Sequence, residues 1–216
     1  MSNDDLERWV TDELFWDPKV DNAAIAVSAE GGDVTLRGTV GSFREKRESQ
    51  NATERVYGVK SVANELNVRI MGEDARNDAE LRGAVLQALM LDSLVPTSVD
   101  ARVADGFVTL TGTAEWKYQC DEAEFVTGNV LGVLGVTDAI DLKTPEPKPD
   151  DVKESIKKAL ERNAKLDAGG LTVDTYNGTV AVTGTVNSWS EHDAAIAAAW
   201  SAAGVTDVDD RIVVDY

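Results

Sequence analysis

The chain has 216 residues, 43% of them hydrophobic, and carries 21 basic against 39 acidic side chains for a net charge of −18. That composition supports a folded core; no third of the chain is basic, so its field repels phosphate polymers and argues against nucleic acid as a partner. No apolar run approaches the roughly 18 residues of a membrane-spanning helix, and Cys120 is the sole cysteine, which excludes an intramolecular disulfide.

The chain begins MSNDDLERWVTDEL, acidic and amphipathic. It lacks the basic start, apolar middle and small-residue cleavage site of a secretory leader. A cytoplasmic location is the expectation, or a periplasmic one if a leader has been trimmed. In this first segment Leu6, Trp9, Val10 and Leu14 share one helical face. A short strand, IAVSAE, leads to Gly31-Gly32, a pair that tolerates the two positive φ values of a type I′ hairpin turn. The heptad VTLRGTV (34–40) is then the second strand. Val34, Leu36, Gly38 and Val40 fall on its apolar face, and Gly38 is read as the place where helix and sheet approach closely.

A second helix opens on an aromatic, Phe43, behind Ser42 and Glu45, an S-x-x-E capping box. It ends at Gly58, read as a left-handed cap. VKSVANELNVRI supplies a third strand. Because a helix joins strands two and three, the crossover should be right-handed and the two strands parallel.

The same plan returns twice. The heptad recurs as VTLTGTA (108–114) and VAVTGTV (180–186), its glycines Gly38, Gly112 and Gly184 lying 74 and 72 residues apart. That period exceeds the roughly 20–50 residues of solenoids, so each copy is a small domain. First helices carry Leu81, Ala84, Val85, Ala88 and Leu89, then Val152, Ile156, Ala159 and Leu160. Asp105-Gly106 and Asn177-Gly178 make the turns. Trp116 and Trp189 open the second helices, Ser188 and Glu191 repeat the box, and Glu115 replaces its serine in the middle copy. Gly135 and Gly204 are read as the closing glycines, which gives the middle copy about three extra residues, and its last strand is VTDAIDL.

The expected fold class is therefore α+β: three tandem αββαβ domains, each a three-stranded mixed sheet with two helices packed on one face. The boundaries are 1–70, 71–143 and 150–216. A linker over 144–149 falls in the stretch TPEPKPD, whose alternate prolines favour an extended spacer. Strand order is not specified by the sequence.

The αββαβ order, the V-x-L-x-G-x-V strand and a later G-V-x-x-V-x-N-x-L resemble the BON domain, over nearly the whole chain. The nearest copy is VTLRGTV with GVKSVANEL (58–66); GVTDVDDRI is looser and GVTDAIDL is shorter by one residue. The resemblance implies a bacterial family linked to osmotic induction and nodulation, with proposed roles in binding phospholipid or the cell envelope under stress. It brings no enzymatic residues and no cofactor.

Candidate contacts with anionic phospholipid, an envelope component or a protein are the basic helix starts: Phe43, Arg44, Lys46 and Arg47, and in the third copy Lys153, Lys157 and Lys158, with Arg162 and Lys165 beyond. Each cation near an anionic surface contributes about 1 kcal/mol, and neighbouring acids oppose it. The alternative is that these are solvated helix faces with i, i+4 ion pairs. Catalytic and metal sites are not expected: Asp207, Asp209 and Asp210 lack a calcium-loop pattern, GVLG (132–135) lacks basic neighbours for RNA, and Cys120 has only His192, in another repeat, as a base. The leading function is a non-catalytic binding or scaffold protein linked to stress or the envelope. A protein-interaction module using sheet edges and a small-ligand or ion sensor are the alternatives.

Overall fold

The computed structural model describes residues 2–70, 76–144, 149–162 and 170–216. Repeat 1 comprises α1 (Asn3–Trp16), β1 (Ile25–Glu30), β2 (Asp33–Val40), α2 (Phe43–Glu54) and β3 (Ser61–Val68). Repeat 2 comprises α3 (Asp78–Leu91), β4 (Asp100–Ala104), β5 (Phe107–Ala114), α4 (Lys117–Gly128) and β6 (Gly135–Leu142). Repeat 3 comprises α5 (Pro149–Arg162), β7 (Leu171–Tyr176), β8 (Thr179–Val186), α6 (Trp189–Trp200) and β9 (Asp207–Val214). This is the expected α+β plan. The chain divides into two compact units, Met1–Thr113 with Gln119–Asp141 and Ala114–Tyr118 with Leu142–Tyr216.

The heptad is the central strand of every sheet, in the orders β1-β2-β3, β4-β5-β6 and β7-β8-β9. β2 runs antiparallel to β1 and parallel to β3, and β8 relates to β7 and β9 in the same way. Both helices of a repeat cover one face. In repeat 1, Leu6, Val10 and Leu14 of α1 and Ala52 of α2 bury against Val34, Leu36, Val40 and Leu66. Each such Val or Leu stabilises the fold by about 1.5–3 kcal/mol. Repeat 3 builds the same layer with smaller residues, Ala195, Ala198, Ala199 and Ala202, under Val152, Ile156 and Leu160. Trp9 departs from the expected apolar face and is 42% exposed. Each hairpin turn takes two positive φ values, at Gly31-Gly32, Asp105-Gly106 and Asn177-Gly178.

The heptad glycine has a different cause from the one expected. Gly38 has φ +132°, and a Cβ there would collide with the Ala24 carbonyl oxygen and crowd Ile25 Cα. The neighbour is the backbone leading into β1, not a helix. Gly112 stands against Ser98 and Val99, and Gly184 against Gly170, in the same way. Gly38 pairs with Ile25, the first residue of β1, so the glycine lets the chain cross closely as it joins the sheet.

Gly135 is not the closing glycine of its repeat. It opens β6, and Gly132, with φ +109°, stands where Gly58 (φ +92°) and Gly204 (φ +88°) stand. Gly132 restores the 74- and 72-residue register, so repeat 2 has no extra residues there, and all three last strands are eight residues long. These glycines also sit beyond the helix cap itself. After α2 two successive i→i+3 turns form, Val56 N–H to Thr53 O and Val59 N–H to Val56 O, and Gly58 lies in the second.

The capping boxes are half formed. Ser42 accepts from the Glu45 amide, but the Glu45 carboxylate takes the Gly41 and Asp21 amides rather than that of Ser42. Glu191 likewise takes the Asn187 amide. A reciprocal box forms at α3, between Asn77 and Glu80. In repeat 2 Lys117 opens α4, and Trp116, one residue earlier, holds the place of Ser42 and Ser188.

Candidate functional site

The basic start of α2 divides on folding. Phe43 is half-buried and packs against the core of repeat 2. Arg47 lies 4.7 Å above the Phe125 ring, and its Nη2 donates to Asn129 Oδ1 at 3.2 Å. Burial lowers the Arg47 pKa against the opposing pull of Glu48 and Glu124. Gly128 makes the space, since a Cβ there would stand 3.0 Å from both Phe43 Cδ1 and Arg47 Nη1. Arg44 is exposed, and Lys46 is half-buried with its carbonyl accepting from Asn64 Nδ2. Two of the four candidates at this start therefore join repeats 1 and 2 inside one compact unit.

In α5, Lys153, Lys157 and Lys158 are all exposed. Lys153 pairs with Asp174 at 2.8 Å and Lys158 with Glu154 at 3.3 Å. Lys165, and most of the linker over 144–149, lie outside the described residues.

A surface feature absent from the sequence reading stands at the ends of the first helices. Phe15 and Trp16 close α1 at 62% and 78% exposure, in T-shaped contact at 5.2 Å. Met90 and Leu91 close α3 at 78% and 75%. These are equivalent positions, each last in its helix. Repeat 3 carries Glu161 and Arg162 there. The signal was present in the letters FW before Asp17-Pro18 and ML before Asp92, one step past the residues that fill the core stripe.

The sheet edges are occupied at points where a further strand would pair. Glu7 Oε1 accepts the Ala29 amide on β1, and Arg82 Nε donates to the Ala101 carbonyl on β4. On the opposite edges, Asn64, Asp138 and Asp210 each accept the amide two residues on, from Leu66, Ile140 and Ile212. This explains the polar residue of the V-x-N-x-L motif: its side chain shields its own strand.

His192 is half-buried between Asp210, at 2.8 Å from Nε2, and Asp193, at 3.1 Å from Nδ1, with its ring edge-on to Trp189. The hydrogen bond to Asp193 raises its pKa, aided by Asp210 and opposed by burial. Cys120 is buried in α4. Among the described residues no group of three or more His, Cys, Asp or Glu side chains is placed to hold a metal ion, and no helix is long and apolar enough to cross a membrane.

A family model for the BON domain matches residues 2–70, 77–144 and 149–216. Osmotically-inducible protein Y of Escherichia coli is 34% identical over 125 residues, covering 56% of this chain and 61% of its own length. Two solved structures of CdsD, described as a structural protein of the type III secretion system of Chlamydia trachomatis, align over 98% and 100% of the chain and over 92% and 100% of their own. Their identities are 16% and 15% and both TM-scores are 0.28, too low to carry a functional comparison. Three matches in register with three sheets of one topology make this chain a member of the BON family, with three copies of its domain.

Proposed function

We propose that this protein is a non-catalytic, stress-related binding protein that meets phospholipid interfaces through the helix ends of repeats 1 and 2. The observation that carries the reading is the pair of equivalent apolar ends, Phe15–Trp16 and Met90–Leu91, all more than 60% exposed. Aromatic and long aliphatic side chains of this kind settle at the boundary between headgroups and acyl chains. The likeness to an osmotically inducible protein supports a role in stress. The net charge of −18, with Asp12, Glu13 and Asp17 beside the α1 end, favours zwitterionic over anionic headgroups. That preference is the reverse of the one expected from the basic helix starts.

Co-sedimentation with phosphatidylcholine vesicles, with and without added phosphatidylglycerol, tests this. Binding should be stronger to the neutral vesicles and should fall severalfold in the Phe15→Ser, Trp16→Ser variant. Binding that follows anionic lipid and survives this change would return the contact to Arg44, Lys46 and the α5 lysines. Absence of binding to either vesicle would leave a protein partner as the reading for the same apolar ends.

A further inference from the structure

Side chains hold backbone groups on the outer edges of β1, β3, β4, β6 and β9. The remaining edge, that of β7, differs. Glu7 and Arg82, which close β1 and β4, stand three residues before Val10 and Val85, and Lys153 stands three before Ile156. Lys153 bypasses the backbone and pairs with the Asp174 side chain at 2.8 Å. That pair is 51% and 72% exposed, so it contributes little and yields readily. Val173 pairs with Val182 as Ala101 pairs with Leu110. The Ala101 carbonyl faces outward to Arg82, so the Val173 amide and carbonyl face outward too. Among the described residues no side chain bonds either group. The helix wall beside this edge is also incomplete. Leu86, next after Val85, packs on the core of repeat 2, whereas Lys157, next after Ile156, is exposed. A cavity of about 230 Å³ lies between α5 and β7, with Lys153, Lys157, Leu160, Glu161, Leu171 and Val173 on its walls. Lys157 makes no ion pair among the described residues.

We propose that the groove between α5 and β7 binds an extended segment of a partner protein, which adds a fourth strand to the sheet of repeat 3 and sets a carboxylate against Lys157. The partner backbone bonds the outward amide and carbonyl of Val173. Inward side chains of such a strand recur about every 6.6 Å, close to the roughly 6 Å between Lys153, Lys157 and Glu161 along the helix. The inward residue beside Val173 therefore meets Lys157, the one unpaired cation of the groove. The next inward residue lies over Leu160 and Leu171 beside the Glu161 carboxylate, a place that suits an apolar side chain and repels an acid. The chain's net charge of −18 opposes acidic partners at long range. A single carboxylate flanked by apolar inward residues thus fits better than an acidic run.

Fluorescence anisotropy of a labelled, end-blocked peptide, Val-Thr-Glu-Thr-Val, titrated with the full chain tests the proposal. The sequence reads alike in both directions, so it serves a parallel or an antiparallel strand. Binding should saturate, and a peptide with Lys in place of Glu should bind about tenfold more weakly. Lys157→Leu, which fills the groove as Leu86 does in repeat 2, should remove binding while the melt stays at or above that of the parent. Lys153→Arg keeps the charge and gives β7 the side chain that closes β4 at Arg82, so it should also weaken binding severalfold. A contact made by charge alone would not respond to that change. No saturation up to about 1 mM, equal binding of the two peptides, or binding indifferent to Lys153→Arg overturns the proposal. Sedimentation of the chain alone as a dimer that Lys157→Leu dissociates would give the edge to a second copy instead, and would overturn it as well.

Discussion

Gly38 faces the Ala24 carbonyl so closely that only a hydrogen fits between them. Gly38→Ala therefore meets two obstacles, a backbone collision and a φ of +132° that side chains avoid. The expected loss is at least about 1–3 kcal/mol, with Gly112→Ala and Gly184→Ala behaving alike. Thermal melts against the parent check this. A parent-like melt for Gly38→Ala would show that the β1 lead-in yields to a methyl group.

Glycine is dispensable at the first position of the hairpin turn. Gly31 has φ +64° with open space around its Cα, and Asp105 and Asn177 hold the same position at φ 52° and 48°. Gly31→Asn should be neutral or stabilise by up to about 1 kcal/mol, because it narrows the unfolded ensemble while asparagine accepts this conformation. Denaturant midpoints for the pair decide the sign.

The repeat plan was legible because hydrophobic period and turn chemistry agree in each copy: Leu6, Val10 and Leu14 mark a helix face, and Asn177-Gly178 marks a hairpin. Register was harder where two glycines compete. GVLGVTDAI (132–140) carries the full motif, with Val133, Val136, Asp138 and Ile140 matching Val59, Val62, Asn64 and Leu66, yet Gly135 begins a glycine-valine pair of its own. The φ value of Gly132 settles what letters could not. The contact of Phe43 with repeat 2 was illegible for another reason. An aromatic one residue past a serine cap reads as a local staple, and nothing in its neighbours indicates that Gly128, 85 residues later, provides its seat. The exposed Trp16 was hidden by the stripe that ends at Leu14.

Stability should fall on both sides of neutral pH, through different repeats. Asp17 is buried and accepts from the Lys19 amide at 3.0 Å and Arg55 Nη2 at 2.7 Å, which hold its carboxyl below the ordinary 3.8. Its contribution is present above that value and is lost as pH falls through the depressed one. For His192 the sign reverses. Its pKa is raised above 6.5, first by Asp193, so its bridge between α6 and β9 contributes fully below 6.5 and is lost as pH rises through the raised value. The facing titratable groups are Asp193 and Asp210. Melts across pH should show Asp17→Asn flattening the acid limb and His192→Gln flattening the limb above neutrality. A limb unchanged by its substitution would remove that group as the cause.

The Phe43–Gly128 contact makes repeats 1 and 2 energetically dependent. Phe43 is only half-buried, so Phe43→Ala should cost less than the roughly 3–5 kcal/mol of a fully buried ring, but its loss falls on both repeats at once. Gly128→Val attacks the same contact from the other side, forcing atoms into the positions of Phe43 Cδ1 and Arg47 Nη1. Calorimetry should show the shared transition of repeats 1 and 2 broaden or split in either variant, with the melt of repeat 3 unmoved. Because each substitution lies in a different repeat, matching profiles would assign the effect to the contact. A profile in which Phe43→Ala lowers repeat 1 alone would instead place the Phe43 contribution within its own repeat.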